Sequence, residues 1–346
     1  MTTKCLAIPE FFDRDRVSQT YRVPYQARAH DAKAWARQHN ISPSTEDKQR
    51  ICLLAIDVQN TFCLPNFELF VGGRSGTSAV DDTIRLCEFV YQHLNRITEI
   101  VPTLDTHTAT QIFHPIFWVD SNGNPPEPMT LIELNDVIEE KWRVNPAMAA
   151  SLQRSLESLQ EFARHYTRSL SQNGKYPLTI WPYHSMLGGL GHALVSAFEE
   201  ACFVHNIARQ HQTRFELKGG HPLTEHYSVL RPEILAEPLS GTRIDPAGNA
   251  QKNTALIHHL LGFDAILVAG QAKSHCVAWT IEDLLNEIEQ RDPRLAQKVY
   301  LLEDCTSVVV VPGVVDFTEQ AEAAYARFAE AGMKRTCSTQ IFEQYL

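Results

Sequence analysis

The chain has no excess of basic residues, no closely spaced cysteine pair, no internal repeat and no apolar run long enough to span a bilayer. Each absence closes a class of function. With 31 Lys and Arg against 41 Asp and Glu, the formal net charge is −10, and no basic cluster interrupts it. A nucleic-acid surface needs concentrated positive charge and is not expected. The longest apolar stretches are strand-length, so no membrane partner is expected either. The eight cysteines (5, 52, 63, 87, 202, 276, 305 and 337) fall without CxxC pairs or regular spacing, which argues against a structural zinc cage and a secreted disulfide framework. The opening residues, Glu10, Asp13 and Asp15 among them, do not read as a secretory signal. A reducing cytoplasm is the expected compartment. What is present is a 346-residue chain with 44% hydrophobic content, enough for one large core or two modest ones.

Residues 1–50 are polar and turn-rich, with a helix expected over 27–39, and read as an N-terminal extension wrapped on a main domain of 51–346. From Ile51 the pattern becomes strand, helix, strand: strands are expected at 51–58, 97–105, 214–218, 265–269 and 299–303, and helices at 79–96, 254–261, 277–290 and 317–331. Continuous apolar strands alternating with helices predict an α/β fold, three-layered, with a mainly parallel sheet covered on both faces. Ligands of such sheets bind beyond the carboxyl ends of the strands. Between about 120 and 177 the alternation stops. Leu152, Leu156, Leu159, Phe162, Tyr166 and Leu170 recur there at helical spacing, which predicts a packing face in a helical insertion. Such an insertion is compatible with a lid or with self-association into a homo-oligomer.

Chemistry-bearing residues collect at the predicted strand ends. Asp57 closes the first strand, in Leu53-Leu-Ala-Ile-Asp-Val-Gln-Asn-Thr-Phe62; alone it reads equally well as a turn cap. Asp105 and His107 close the second. Residues i and i+2 of an extended chain share a face, so this carboxylate and imidazole converge as two ligands of a divalent ion would. His114 and His184 follow in Phe113-His-Pro115 and Trp181-Pro-Tyr-His184, although fifteen histidines make chance neighbours easy. Lys218 ends a short strand before two glycines, where a solvated lysine is the commoner outcome. Cys276 lies where the strand at 265–269 turns into a helix. Unpaired N–H groups and the helix dipole favour thiolate there and can hold an oxyanion, whereas a free cysteine elsewhere is usually a small hydrophobe.

Together these segments run Asp57-Val-Gln-Asn-x-Phe62, Asp105-x-His107, Ile180-Trp-Pro-x-His184, Lys218-Gly and Gly270-x-Ala-x-x-His-Cys276-Val. Their order and contexts resemble the nicotinamidase/isochorismatase-like cysteine hydrolases, from Ile51 to about Thr306 without the insertion, and the Asp-x-His pair favours the nicotinamidase branch. The resemblance implies a catalytic triad of Asp57, Lys218 and Cys276, an oxyanion hole at the N–H groups of Ala272 and Cys276, and a cis Gln271–Ala272 bond. It implies a small-molecule carboxamide substrate held between Phe62 and Trp181. It also implies one divalent metal ion, zinc first with manganese or iron as alternatives, on Asp105, His107 and His184, with His114 the candidate for a fourth ligand. Three departures stand out. The His107–His114 gap is longer than the family's, Ser185 stands where many nicotinamidases have cysteine, and Leu64-Pro-Asn-Phe67 replaces a glycine-rich stretch. The implied reaction is hydrolysis of the amide of a small heteroaromatic compound such as nicotinamide. A related hydrolase acting on an enol ether or another amide, or a binding protein that kept the fold without turnover, are the alternatives.

Overall fold

Every residue of Ile51–Ile56 is buried, and this run of Ile, Cys, Leu and Ala forms the strand from which the sheet is built. The computed structural model describes residues 5–235 and 251–344. Along the chain, helix α1 (Tyr25–Gln38) precedes strand β1 (Ile51–Ile56). Helices α2 (Asn60–Cys63) and α3 (Ser78–Gln92) lead to β2 (Glu99–Asp105). Next come β3 (Trp118–Val119), β4 (Leu131–Ile132), α4 (Leu134–Ile138), β5 (Arg143–Val144), α5 (Ala147–Leu152), α6 (Leu156–Gln172) and β6 (Leu178–Thr179). After α7 (Ser196–Arg209), β7 (Glu216–Lys218), α8 (Thr254–Leu261) and β8 (Ala265–Gly270), a π-helical turn at Lys273–Val277 opens α9 (Ala278–Arg291). Strand β9 (Val299–Leu302), the hairpin β10 (Val310–Val311) and β11 (Val315–Asp316), α10 (Thr318–Glu330) and β12 (Lys334–Thr336) complete the set used below.

The chain folds as two compact units, Met1–Leu104 with Leu190–Glu216 and Thr254–Leu346, and Asp105–Gly189 with Leu217–Asn253. The sheet has the order β12-β9-β8-β1-β2-β7. The pairs β1–β2, β1–β8, β8–β9 and β9–β12 are all parallel. Alternate residues serve opposite faces of a strand. Ile51, Leu53 and Ala55 of β1 pack in one core with Leu86, Phe89 and Val90 of α3 and Phe198 and Ala201 of α7, while Cys52, Leu54 and Ile56 are buried outside that cluster. The result is the expected α/β/α arrangement around a mainly parallel sheet. In the N-terminal stretch, α1 packs on α7, and Arg28 and Tyr21 both bond the buried Glu200.

In the second unit, two short antiparallel ladders, β3–β5 and β4–β6, stand beside α4, α5 and α6. The residues at helical spacing from Leu152 to Leu170 fall on two helices. Gln153 adopts φ 53° and ends α5, and the Ser155 side chain accepts the Ser158 N–H (3.1 Å) to cap α6. On α6, Leu159, Phe162, Tyr166 and Leu170 are buried, whereas Leu156 in its first turn is 38% exposed. Among the described residues, no helix is long and apolar enough to cross a membrane.

Two outcomes follow for stability. Gly270 has φ +113° and pairs in register with Ile56, whose carbonyl oxygen lies 1.9 Å from where a Cβ would stand. Gly313 also has positive φ, +75°, but a Cβ there meets nothing within 4 Å. Gly313→Ala should cost about 1 kcal/mol for the conformation alone, and Gly270→Ala more than about 3 kcal/mol or all folding, because backbone must move. Equal losses in urea unfolding would contradict this. The second outcome concerns His205 on α7, fully buried with Nε2 2.9 Å from the Ile97 carbonyl. Burial lowers its pKa from 6.5 to about 3. Its unfolded form takes a proton first, so its contribution is complete above pH 6.5 and drains as pH falls toward 3, at up to about 1.4 kcal/mol per unit. His205→Gln should flatten the acid limb of stability against pH by close to one proton; an unchanged slope would refute it.

Candidate active site and metal centre

Parallel pairing of β1 with β8 sets the first part of the site. Ile56 lies opposite Gly270, and the Gln271 N–H donates to the Ile56 carbonyl (2.8 Å), so Asp57 and the turn carrying Cys276 leave adjacent strands at the same edge. Asp57 is fully buried, in the left-handed region at φ 49°. Its neighbour across β2 is Thr103. The Thr103 hydroxyl accepts the Asp57 N–H (3.0 Å) and donates to Asp57 Oδ1 (2.5 Å), fixing both main chain and carboxylate. The Gln271–Ala272 bond is cis, as expected from the motif. Cys276 is 7% exposed, and it lies inside the π-helical turn, just ahead of α9. Its turn closes through the Val277 N–H onto the Ala272 carbonyl (3.2 Å). Phe62 is buried on the single turn α2 that follows Asp57. Asp57, Phe62, Ala272 and Cys276 thus all belong to the first unit.

Asp105, His107, His114, Trp181, His184 and Lys218 belong to the second. Here one carboxylate does two things. Asp105 Oδ1 accepts from Lys218 Nζ (2.8 Å), while Oδ2 faces His107 Nε2 at 2.7 Å and His184 Nε2 at 3.4 Å. Lys218 Nζ also donates to the His226 carbonyl (2.8 Å). The two histidine segments lie side by side, the His107 N–H donating to the Ser185 carbonyl (3.0 Å). Both rings are held by main-chain oxygens on their far sides: His107 Nδ1 at the Gly219 carbonyl (3.0 Å) and His184 Nδ1 at the Pro182 carbonyl (2.8 Å). An Nδ1–H bound in this way leaves the Nε2 lone pair for a ligand, which is how metal-binding histidines are oriented.

The donor set fits a divalent cation. One ligand atom each from Asp105, His107 and His184 lies within 4.8 Å of the others, and all three residues are buried. His114 stands apart from this trio. Its ring centroid is 5.8 Å from that of His184 and 6.0 Å from that of His107. It is nonetheless set up alike, with Nδ1 at the Ala109 carbonyl (3.1 Å) and Nε2 buried without a hydrogen-bond partner. Burial, then the nearby His184 and His107, lower its pKa to about 3, so it is neutral. Burial works against charge on Asp105, but the His107 and Lys218 charges win and hold the carboxyl well below its usual range. Burial likewise opposes charge on His107, and Asp105 overcomes it and raises the imidazole.

Several contributors carry no motif. Thr103 shares a face with Asp105 and His107 by the same i+2 spacing, and that signal was open to sequence reading. The carbonyls of Gly219, Pro182, Ala109 and His226 have no sequence signature. Glu225 is buried, and burial, then the Asp105 charge, push its pKa up to about 7. Trp181 is buried, its indole N–H donating to the Tyr227 hydroxyl (3.2 Å). Gly219 has φ +85°, and a Cβ there would stand 2.5 Å from His107 Cε1 and 2.9 Å from Asp105 Oδ1. The purified protein should bind one divalent ion per chain by titration calorimetry. Asp105→Ala should remove that binding, and Gly219→Ala should weaken it by about 10- to 100-fold through the displaced ring. Unchanged affinity in Asp105→Ala would dissolve the centre.

No family model matches the chain, and no curated protein does. Solved structures do. The Acinetobacter baumanii nicotinamidase/pyrazinamidase is similar over 86% of this chain and 100% of its own, at 20% identity and TM-score 0.50. A yeast nicotinamidase bound to the inhibitor nicotinaldehyde is similar over 83% of this chain and 99% of its own, at 16% identity and TM-score 0.49. An isochorismatase-like hydrolase from Alkaliphilus metalliredigens follows at 12% identity, over 86% of this chain and 99% of its own, with TM-score 0.42. At such identities the likeness speaks of architecture: the chain has the α/β/α fold of the nicotinamidase/isochorismatase-like hydrolases.

Proposed function

We propose that the protein is a cysteine amidohydrolase that releases ammonia from a small heteroaromatic carboxamide, nicotinamide or pyrazinamide being the first candidates. One observation carries the reading most directly: a carboxylate fixed by Thr103 at the end of β1 leaves the sheet beside the cysteine turn of β8. A solved nicotinamidase/pyrazinamidase of the same fold and the Asp105, His107 and His184 cluster support it.

In this reading Asp57 takes the Cys276 proton, and the thiolate attacks the amide carbonyl carbon. Lys218 is the third member of the triad and supplies the positive charge that favours thiolate. The N–H groups of Ala272 and Cys276 donate to the developing oxyanion. Collapse of the tetrahedral adduct, with the proton returned from Asp57 to nitrogen, breaks the C–N bond and frees ammonia. A thioester remains. Water, losing its proton to Asp57, hydrolyses it to the carboxylic acid and restores the thiol. Phe62 and Trp181 are the candidates to hold the aromatic ring. Asp105, His107 and His184, with His114 the candidate for a fourth ligand, would hold one divalent ion, zinc first, and a bound ion would supply a Lewis-acidic contact that orients a ring nitrogen. Lys218 is itself held by Asp105, one of the proposed ligands.

Ammonia release from nicotinamide and pyrazinamide tests the proposal. Cys276→Ala and Asp57→Asn should each lose roughly 10³- to 10⁴-fold or more in kcat, as members of a unit do. Undiminished turnover in Cys276→Ala would end the cysteine mechanism, and turnover of an enol ether but no amide would move the protein to the isochorismatase side.

A further inference from the structure

The turn ahead of Cys276 is tied down from behind at almost every residue. Gln271 Nε2 donates to Asp82 Oδ2 (2.8 Å) and its Oε1 accepts the Ser307 N–H (3.2 Å). Ser274 Oγ accepts the Val309 N–H (3.2 Å). The His275 ring sits edge-on to Phe317, centroids 4.6 Å apart. Lys273 is fastened at both ends. Its N–H donates to the Ser307 carbonyl (2.8 Å), and its ammonium lies 2.5 Å from Glu322 Oε1, 3.3 Å from Glu303 Oε1 and 4.3 Å from the centre of the Tyr325 ring. Glu303 follows β9, and Glu322 and Tyr325 stand on α10, so one side chain joins the cysteine turn to two other elements.

We propose that Lys273 is a positioning residue for the Cys276 thiol, a buried ammonium whose two carboxylate partners set the pitch of the π-helical turn that presents the sulfur. The proposal rests on the reading of Cys276 as nucleophile. A charge 7% exposed pays heavily in desolvation, and such pairs add little net stability. What they do supply is direction. Arg335 of β12 provides an internal control, because it binds the same two acids, Glu303 at 2.5 Å and Glu322 at 2.8 Å, without belonging to the cysteine turn. Without Lys273, Arg335 still satisfies both acids, and only the tether is lost. Without Arg335, Lys273 keeps both carboxylates, and the tether stays. The two variants remove the same charge from one network and differ in what they do to the turn.

The experiment measures kcat and KM on nicotinamide together with the rate of Cys276 alkylation by iodoacetamide between pH 6 and 9, read on the Cys276 peptide by mass spectrometry. Lys273→Met should lower kcat by about 10- to 100-fold with KM within about threefold, the loss expected of a reacting atom misplaced by about 1 Å. Alkylation of Cys276 should slow alongside. Lys273→Arg should recover most of both, and Arg335→Met should stay within about threefold of the parent. If Lys273→Met fails to fold, Glu322→Gln weakens the same tether from α10 and should give a smaller loss of the same pattern. Parental kcat and alkylation in Lys273→Met, or equal losses in Arg335→Met, would overturn the proposal. A parent that alkylates at Cys276 but releases no ammonia from amides would instead overturn the amidohydrolase reading, while the alkylation comparison still decides the tether.

Discussion

The close approach of β8 to β1 at Gly270 and Ile56 is the constraint on which the candidate site depends. A side chain at position 270 has no room, since a Cβ would lie 1.9 Å from a carbonyl oxygen of the partner strand. Because the position is glycine, Gln271 can donate to that same oxygen, and the chain leaves β8 directly into the cis bond and the cysteine turn. Asp57 leaves β1 one residue beyond Ile56, in a left-handed conformation that aspartate tolerates better than most residues. Parallel pairing does the rest: it puts the carboxyl ends of neighbouring strands at one edge, and Thr103 on β2 then locks the carboxylate. Asp57 and Thr103 are thereby joined across two strands, and the cysteine turn leaves the third at the same edge.

The second unit solves a different problem, that of burying charge. Asp105 and Lys218 are both almost fully buried, and each alone would be strongly disfavoured there. Sharing removes much of the penalty, since Oδ1 takes the ammonium and Oδ2 the imidazole side. Two histidines then meet one carboxylate, their Nδ1 atoms already committed to main-chain carbonyls, and His114 nearby is held in the same way. In a neutral ring held this way, it is the Nε2 lone pair that is left to face inward. A cation is the partner that such a ring of acceptors fits.

Most of the sheet is legible in the sequence, for a physical reason: strands buried on both faces must be continuously apolar, as Ile51–Ile56 and Ala265–Gly270 are. The candidate site residues are legible because parallel sheets place chemistry at strand ends, where Asp57 and Asp105 stand out against apolar runs. Less is legible where one residue's conformation decides. Nothing in the spacing of Leu152 and Leu156 announces that Gln153 turns left-handed and divides the helix. Strand β12, Lys-Arg-Thr at the sheet's edge, has no apolar run to betray it. Helix α7 does carry a stripe, in Ala197, Phe198, Ala201, Cys202, Val204 and Ala208, all buried, and periodicity alone would have found it.

Least legible are partners separated in sequence and chosen by charge alone. Lys273 meets Glu303 and Glu322, 30 and 49 positions away, and nothing near any of the three marks the match. The two buried lysines show what context does to one side chain. Lys218 faces a carboxylate that also faces histidines, so its charge is part of an electrostatic arrangement whose balance a cation would alter. Lys273 faces two carboxylates and an arginine, four charges that cancel, so little net field remains to act on a thiol. In such a neutral square the lysine's contribution lies in geometry, and guanidinium can stand in for ammonium there because reach and charge suffice. At Lys218 the substitution is not conservative, since a planar guanidinium does not replace a compact ammonium that donates to the Asp105 carboxylate and the His226 carbonyl.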